Sequence, residues 1–353
     1  MKAVLLVAAL ATSDPSGLQA VLDDMRIAQD VPGVSAVVIR GNQNIFTGAS
    51  GVADVETGRP MTADTVLYIG SVSKVLTAVL TLQLVEAGRL TLDDPVSGIS
   101  LDRSGSAADV RVAHLLTHSA GLDREGDFNY WYTGDFPDTQ ALANYLSTAR
   151  LRTLPGTGLH YSNVGYAALG YVIEQALGET YSDALRIRVL EPLNMTASGA
   201  PGPAAEVANG YTPPGRMLPN DTRPFAGVGR RVGARHVRMY HNARAMSPAF
   251  GAYASARDLG RLAYFLLGHG GDRVLSQAMR ARMHERQASG WGLGLKLQRI
   301  RDRRVARHDG WFAAHRSHLL LDVAADVAIV VLANSDSASP KRIAEALHAA
   351  AIE

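Results

Sequence analysis

Strand-forming segments lie at the two ends of this chain with a long helical stretch between them, and no other feature limits its possible folds as sharply. The run "VPGVSAVVIRGNQNIFTGASG" (31–51) reads as two strands joined by a Gly-Asn turn. Strand patterns return only late, at 291–300, 304–309, 316–323 and 326–334. From 71 to about 266 the pattern is mainly helical, broken by Pro/Gly-rich loops at 153–158, 201–203 and 213–215. An amphipathic helix over 16–29 opens near Ser16, and a last helix over 340–351 has Pro in its first turn. This order predicts an α/β plus α protein: one antiparallel sheet built from both chain ends and flanked by the terminal helices. The helical block is inserted as a second lobe. The expected division is one catalytic domain of two lobes, 1–66 with 267–353, and 67–266. A cleft between two such lobes is a default place for a small-molecule site.

A chain of 353 residues has ample core for this plan. With 47% hydrophobic and 19% charged residues it is expected to be soluble and globular. A net charge of +2 selects no acidic partner. The lack of cysteine removes disulfides, thiol catalysis and cysteine-ligated metals together. At the start, Lys2, a short apolar run and Ala9-Leu10-Ala11 imitate an export signal, but the run falls short of the usual length of roughly 15–30 residues. An ordinary N-terminal extension, and a cytoplasmic rather than periplasmic or secreted protein, is the preferred reading. No run approaches the roughly 18 apolar residues of a membrane span.

Arginine carries nearly all the positive charge, since only Lys2, Lys74, Lys296 and Lys341 are lysine. Lys74 stands alone in "IGSVSKVLTA", among Val72, Val75, Leu76, Ala78, Val79 and Leu80. On a helix, Ser71 and Lys74 lie about one turn apart on the same face. A serine hydroxyl needs a neighbouring base to become a nucleophile, and a lysine serves if burial disfavours its charged form. The competing account is a lysine snorkelling from a helix flank. Two further motifs weigh against it: Tyr161-Ser162-Asn163 ahead of an apolar helix, and His308-Asp309-Gly310 at a strand end.

Ser-x-x-Lys, Tyr-x-Asn and His/Lys-x-Gly, in that order, resemble the motifs of the penicillin-recognising serine hydrolases. The chain is similar to class C β-lactamases and their relatives, the D-alanyl-D-alanine carboxypeptidases, D-aminopeptidases and family VIII carboxylesterases. The likeness runs from "VPGVSAVVIRG" through "VAHLLTHSAGL" and "YSNVGYAALGYVIE" to "VVLANS". It implies a β-lactamase/transpeptidase-like fold with no cofactor. It implies Ser71 as the nucleophile forming an acyl-enzyme, with Lys74 and Tyr161 sharing the proton traffic; which is the acylation base stays open. It further implies that Asn163 bonds Lys74 and the acyl carbonyl or amide of the substrate. Backbone N–H groups of Ser71 and Trp311 would form the oxyanion hole, Gly310 would let substrate approach the strand, and His308 stands where most β-lactamases have lysine.

Other candidates have simpler accounts. His114 and His118 have i,i+4 spacing, but no third ligand adjoins them, so no metal site is expected. His315 and His318 read as surface or packing residues. The block 223–244, with six arginines and no acid, reads as a solvated loop bordering the cleft, not a nucleic-acid surface. For the substrate, Asp309 would repel a carboxylate while Trp311 and Phe312 favour an apolar group. A small neutral ester is therefore preferred, with weak β-lactamase activity at its side. A D-aminopeptidase, whose substrate ammonium would meet Asp309, or a D-alanyl-D-alanine carboxypeptidase is the alternative. An acyltransferase or a β-lactam-binding module without turnover is the rival of another class. The oligomeric state is left open.

Overall fold

A computed structural model of the chain describes residues 14–96, 110–200, 207–213, 228–238, 242–287, 289–300 and 302–352. The apolar N-terminal run lies outside them, as do the loops expected at 201–203 and, except Pro213, at 213–215. Strands β1 (Gly33–Arg40) and β2 (Gln43–Gly51) come first, then the short β3 (Val66–Tyr68). The middle of the chain adds the minor strands β4 (Tyr211–Thr212), β5 (Val228–Val232), β6 (Arg235–Arg238) and β7 (Tyr253–Ser255). Strands β8 (Lys296–Ile300), β9 (Arg303–Phe312), β10 (His315–Asp322) and β11 (Val327–Ala333) come last. Six of these form one antiparallel sheet in the order β2-β1-β11-β10-β9-β8. The join between the two chain ends is β1 against β11, from Val34↔Ala333 to Arg40↔Val327.

Strand β11, Val-Ala-Ile-Val-Val-Leu-Ala, is buried along its whole length. Both faces of the sheet must therefore be covered, which is why the strand lacks polar alternation. One cover is the terminal pair α1 (Pro15–Ala28) and α10 (Pro340–Ile352), through Leu18, Leu22, Ile343 and Leu347. Asp14, slightly ahead of the expected Ser16, caps α1 by accepting from Gly17 N at 2.7 Å. The opposite face meets Leu259, Leu262 and Ala263 of α8 (Ala256–Leu266). A Cβ on Gly260 would stand 2.8 Å from Val37, so glycine lets this helix lie close on the sheet.

The helical region begins with α2 (Ser73–Glu86), of which eleven residues are buried. Around it lie α3 (Val112–Leu116), α4 (Tyr130–Thr133), α5 (Thr139–Thr148), α6 (Asn163–Leu177) and α7 (Tyr181–Leu185); α9 (Gln277–Met283) follows α8. The region is less purely helical than its sequence predicts. Strands β4, β6 and β5 pair as a small sheet, and β3 pairs with β7. These strands are two to five residues long, too short for periodicity to register.

A wide helical turn at Ser247–Gly251 has i→i+5 character, and such turns free carbonyls from helical pairing. Here the carbonyls of Pro248 and Ala249 accept from Thr77 Oγ1 and Lys74 Nζ of α2, each at 2.7 Å. A Cβ on Gly170 would stand 2.2 Å from Pro248, so α6 is pressed against the same turn. Among the described residues no helix is long and apolar enough to cross a membrane.

Candidate active site

Ser71 lies in a single 3₁₀ turn, Gly70–Val72, that runs directly into α2. Two glycines bring strand β9 against this turn. Gly70 has φ +51°, and a Cβ there would stand 2.2 Å from Trp311 N. A Cβ on Gly310 would stand 2.0 Å from the Ile69 carbonyl, which also accepts from Ser317 Oγ at 2.6 Å. The space at Gly310 is thus occupied by protein backbone. Gly310 itself still reaches the cavity described below.

Lys74 is fully buried. Its Nζ donates to Asn163 Oδ1 and Ala249 O, both at 2.7 Å, and lies 3.3 Å from Ser71 Oγ. Snorkelling is excluded by this burial. Burial pushes the ammonium well below the usual lysine range, Glu125 opposes that shift, and Arg124 adds to it.

Ser162 fixes the second motif. Its Oγ accepts from Gly165 N at 2.9 Å, capping α6, and donates to Asp123 O at 2.7 Å. Asn163 is therefore the first residue of α6, with Tyr161 just outside it. The Tyr161 hydroxyl is turned toward Ser71, and Lys74 Nζ lies 4.9 Å from the ring centroid. Desolvation pushes the phenol up, outweighing Ser71 and the nearby Arg124, which act downward. Asn163 Nδ2 donates to both carboxylate oxygens of Glu125, each at 2.9 Å. Asn163 thus meets Lys74 as the motif implies and also lines the cavity.

From the third motif, His308 Nδ1 bonds Asp309 O at 2.9 Å and its ring lies among Tyr161 and Trp291. Burial first, then Lys74, pushes the imidazole down to about 3, so it is neutral near pH 7. Asp309 pairs with Arg307, and its Oδ1 accepts from His318 Nδ1 at 2.8 Å. Its charge is compensated within the protein, which corrects the expectation of an aspartate turned unopposed on a substrate carboxylate. The carboxyl is held below the usual range by His318 and Arg307 against the opposing effect of its own burial, which is the largest influence. Trp311 Nε1 bonds Asp336, and its ring lies 5.2 Å from that of Trp131. Phe312 is buried against Tyr68 and Phe250 and stays out of the cleft.

These residues line a cavity of about 310 Å³. Ser71, Tyr161, Asn163, His308, Asp309, Gly310 and Trp311 all reach it, with Lys74 beneath. The sequence reading missed Trp131, Phe250 and Trp291 in its walls, Arg124, Lys296 and Arg316 among its polar residues, and Glu125 behind Asn163. No local signal marks them: each owes its position to an element brought in from elsewhere in the chain.

The remaining candidates have structural partners. His114 Nδ1 accepts from Arg111 N at 3.1 Å, and His118 Nδ1 accepts from Ser162 N at 3.1 Å. Helix α3 ends at Leu116 and His118 has φ +56°, so the two do not share a helical face. His315 and His318 are buried packing residues. In the Arg block, residues 223–227 and 239–241 lie outside the described part. None of its described residues lines the Ser71 cleft, and Arg235 pairs with Asp30 at 2.6 Å.

A buried lysine beside a serine and a tyrosine at the start of a helix is an arrangement suited to a serine hydrolase. Comparison with known proteins agrees: the Beta-lactamase family model matches residues 18–352, and the chain belongs to this family. It is 29% identical to esterase EstB of Burkholderia gladioli, covering 92% of this chain and 91% of that one. It is 31% identical to penicillin-binding protein 4 of Amycolatopsis lactamdurans, covering 90% and 84%. The D-amino acid amidase of Ochrobactrum anthropi SV3 shares the fold, with TM-score 0.81 and 24% identity over 94% of this chain and 97% of that one. The β-lactamase/transpeptidase-like fold is thereby established, and the protein is a serine hydrolase.

Proposed function

We propose that the protein is a carboxylesterase that cleaves small neutral esters through an acyl-enzyme on Ser71. The observation that carries this reading is the aromatic wall of the cleft, Trp131, Phe250, Trp291 and Trp311, which suits an apolar acyl or alcohol group. His308 supports it, because a neutral imidazole supplies no fixed positive charge for a substrate anion. With Asp309 compensated, the preference rests on these groups and no longer on like-charge repulsion.

In the proposed reaction Ser71 Oγ attacks the ester carbonyl carbon while its proton passes to Lys74. Burial lowers the lysine and raises Tyr161, so the amine gives up its proton more readily than the phenol does. Lys74 is therefore the acylation base, and Tyr161 hands a proton to the departing alkoxide. The C–O bond to the alcohol breaks, leaving the acyl group on Ser71. Lys74 then returns its proton to the Tyr161 phenolate. Water attacks the same carbon and gives a proton to the Lys74 amine, the Ser71–acyl bond breaks, and that proton passes to Ser71 Oγ. The N–H groups of Ser71 and Trp311, on backbones packed together through Gly70, are the proposed oxyanion donors.

A second reading, a peptidase that holds a substrate carboxylate, is favoured by Lys296 and Arg316 in the cleft wall. A side-by-side panel of p-nitrophenyl esters, a chromogenic cephalosporin, D-alanyl-D-alanine and D-amino-acid anilides separates the two, with Ser71→Ala as the blank. Short-chain esters are expected to be turned over fastest by a wide margin. Faster cleavage of the dipeptide or the anilides would overturn the esterase reading.

A further inference from the structure

Lys74 Nζ has three oxygen neighbours, and two of them can only accept hydrogen bonds: Ala249 O and, in the observed orientation, Asn163 Oδ1. A neutral amine has two hydrogens and one lone pair. With both hydrogens committed to those acceptors, the lone pair is left for the third neighbour, Ser71 Oγ, at 3.3 Å. The amine is then oriented to receive the serine proton.

The lone pair faces Ser71 only while the Asn163 amide stands this way round. A flipped amide would present Nδ2 to Lys74. The amine would have to accept from it, and its lone pair would no longer be available to Ser71. Nothing on Asn163 itself prevents the flip. The deciding group is Glu125, in the loop after α3, whose two carboxylate oxygens each lie 2.9 Å from Asn163 Nδ2. A carboxylate only accepts, so facing Asn163 Oδ1 would set oxygen against oxygen. Glu125 is itself held by Tyr130 Oη from α4 and by Arg124 Nε at 3.1 Å, and only about a fifth of its side chain is exposed.

We propose that Glu125 is a positioning residue: it locks the Asn163 amide with Oδ1 toward Lys74 and thereby aims the Lys74 lone pair at Ser71. Glu125 does not itself line the cavity, so its effect passes through Asn163, which does. The proposal rests on Ser71 as the nucleophile but not on the choice of ester over peptide.

The carboxylate also acts on Lys74 through charge. Around Lys74 stand Glu125 and Arg124 from the loop after α3, and His118 beyond the same helix. Tyr161 and Tyr166 come from the α6 segment, and His308 from β9. Among the described residues Glu125 is the one acidic group that acts on Lys74, and it favours the ammonium. Removing its charge lowers the lysine further, so the acid limb of the pH–rate curve moves to lower pH.

The test is the rate of Ser71 labelling by a fluorophosphonate, followed across pH for the wild type, Glu125→Gln and Glu125→Asp. Ser71→Ala is the control that labelling reports this serine. Glutamine can donate to Asn163 Oδ1 and so permits the flipped amide. Glu125→Gln is expected to lower the plateau rate at least tenfold and to move the acid limb to lower pH. Glu125→Asp, which remains an acceptor-only carboxylate, is expected to recover part of the plateau and keep the limb near its wild-type position. A Glu125→Gln plateau within about threefold of wild type overturns the proposal. So does a lowered plateau with an unmoved limb that aspartate fails to rescue, since that pattern belongs to lost packing. Labelling that survives Ser71→Ala would instead remove the nucleophile assignment on which both readings stand.

Discussion

An arginine at position 74 would keep the positive charge and lose the chemistry. Its guanidinium is not deprotonated in proteins, so it cannot take the Ser71 proton, and its planar head does not fit the space shared by Asn163 Oδ1 and Ala249 O. Lys74→Arg is expected to abolish acylation. A variant acylating within about tenfold of wild type, roughly 1.4 kcal/mol of barrier, would end the claim that Lys74 moves a proton. Ser71→Ala should reduce kcat by a factor on the order of 10⁴–10⁶, the usual cost of removing one member of a concerted set. For pH, the sign follows from burial. Lys74 is pushed well down, so the active neutral amine persists below the ordinary lysine range and is lost as pH falls through the lowered value. A kcat/KM profile should therefore show its acid limb well below the ordinary lysine value of about 10.4. A limb near that value would mean that Lys74 is not desolvated in solution. The scarcity of lysine makes this residue legible from the chain alone. Glu125 is not legible there, because an acid in "LDREGD" looks like any solvated loop residue until Asn163 is brought against it.

At the level of elements, the site is a contact between the start of α2 and strand β9, and glycine decides how close they come. Gly310→Ala would put a methyl group 2.0 Å from the Ile69 carbonyl, a backbone atom that cannot swing aside. The strand must retreat, taking Trp311 N away from Ser71. A displacement near 1 Å of an aligned group costs about 100-fold in rate, and a loss of at least that size is expected in kcat. Thermal unfolding should show a lowered Tm in the same variant. Unchanged kinetics would show that β9 does not supply an oxyanion donor. The long elements are readable from periodicity: α2, α6, β1, β10 and β11 stand close to where their apolar patterns put them. The wide turn at 247–251 is not, since its contribution is two backbone carbonyls, and carbonyls leave no mark in a sequence.

Across the whole molecule, the sheet separates a purely structural layer from the catalytic one. Leu347 of α10 is fully buried with Leu18, Val331 and Ile343 in the layer beneath the sheet, and none of these residues lines the Ser71 cavity. Leu347→Ala should cost about 2–5 kcal/mol of stability, read from urea unfolding, with kcat unchanged at temperatures where the variant is folded. A matching fall in kcat would mean that the sheet transmits strain to β9 and that the layers are not independent. The two-ended origin of the sheet has a further consequence: β1 and β11, nearly 300 residues apart, pair directly within it. Pairing of such distant segments makes folding slow relative to a chain of local contacts.

Chain order alone is enough to specify the secondary elements with strong periodicity, the sheet built from both ends, and the Ser71, Lys74 and Tyr161 motifs. Each of these is a local pattern or a fixed spacing. The charge state of the site is decided by the folded arrangement. Whether Asp309 stands alone depends on Arg307 and on His318 from the neighbouring strand. Whether Lys74 is a base depends on total burial and on which way the Asn163 amide faces. A pKa is set by the groups and the solvent around an atom in space, and the chain order carries no record of either until the fold has closed.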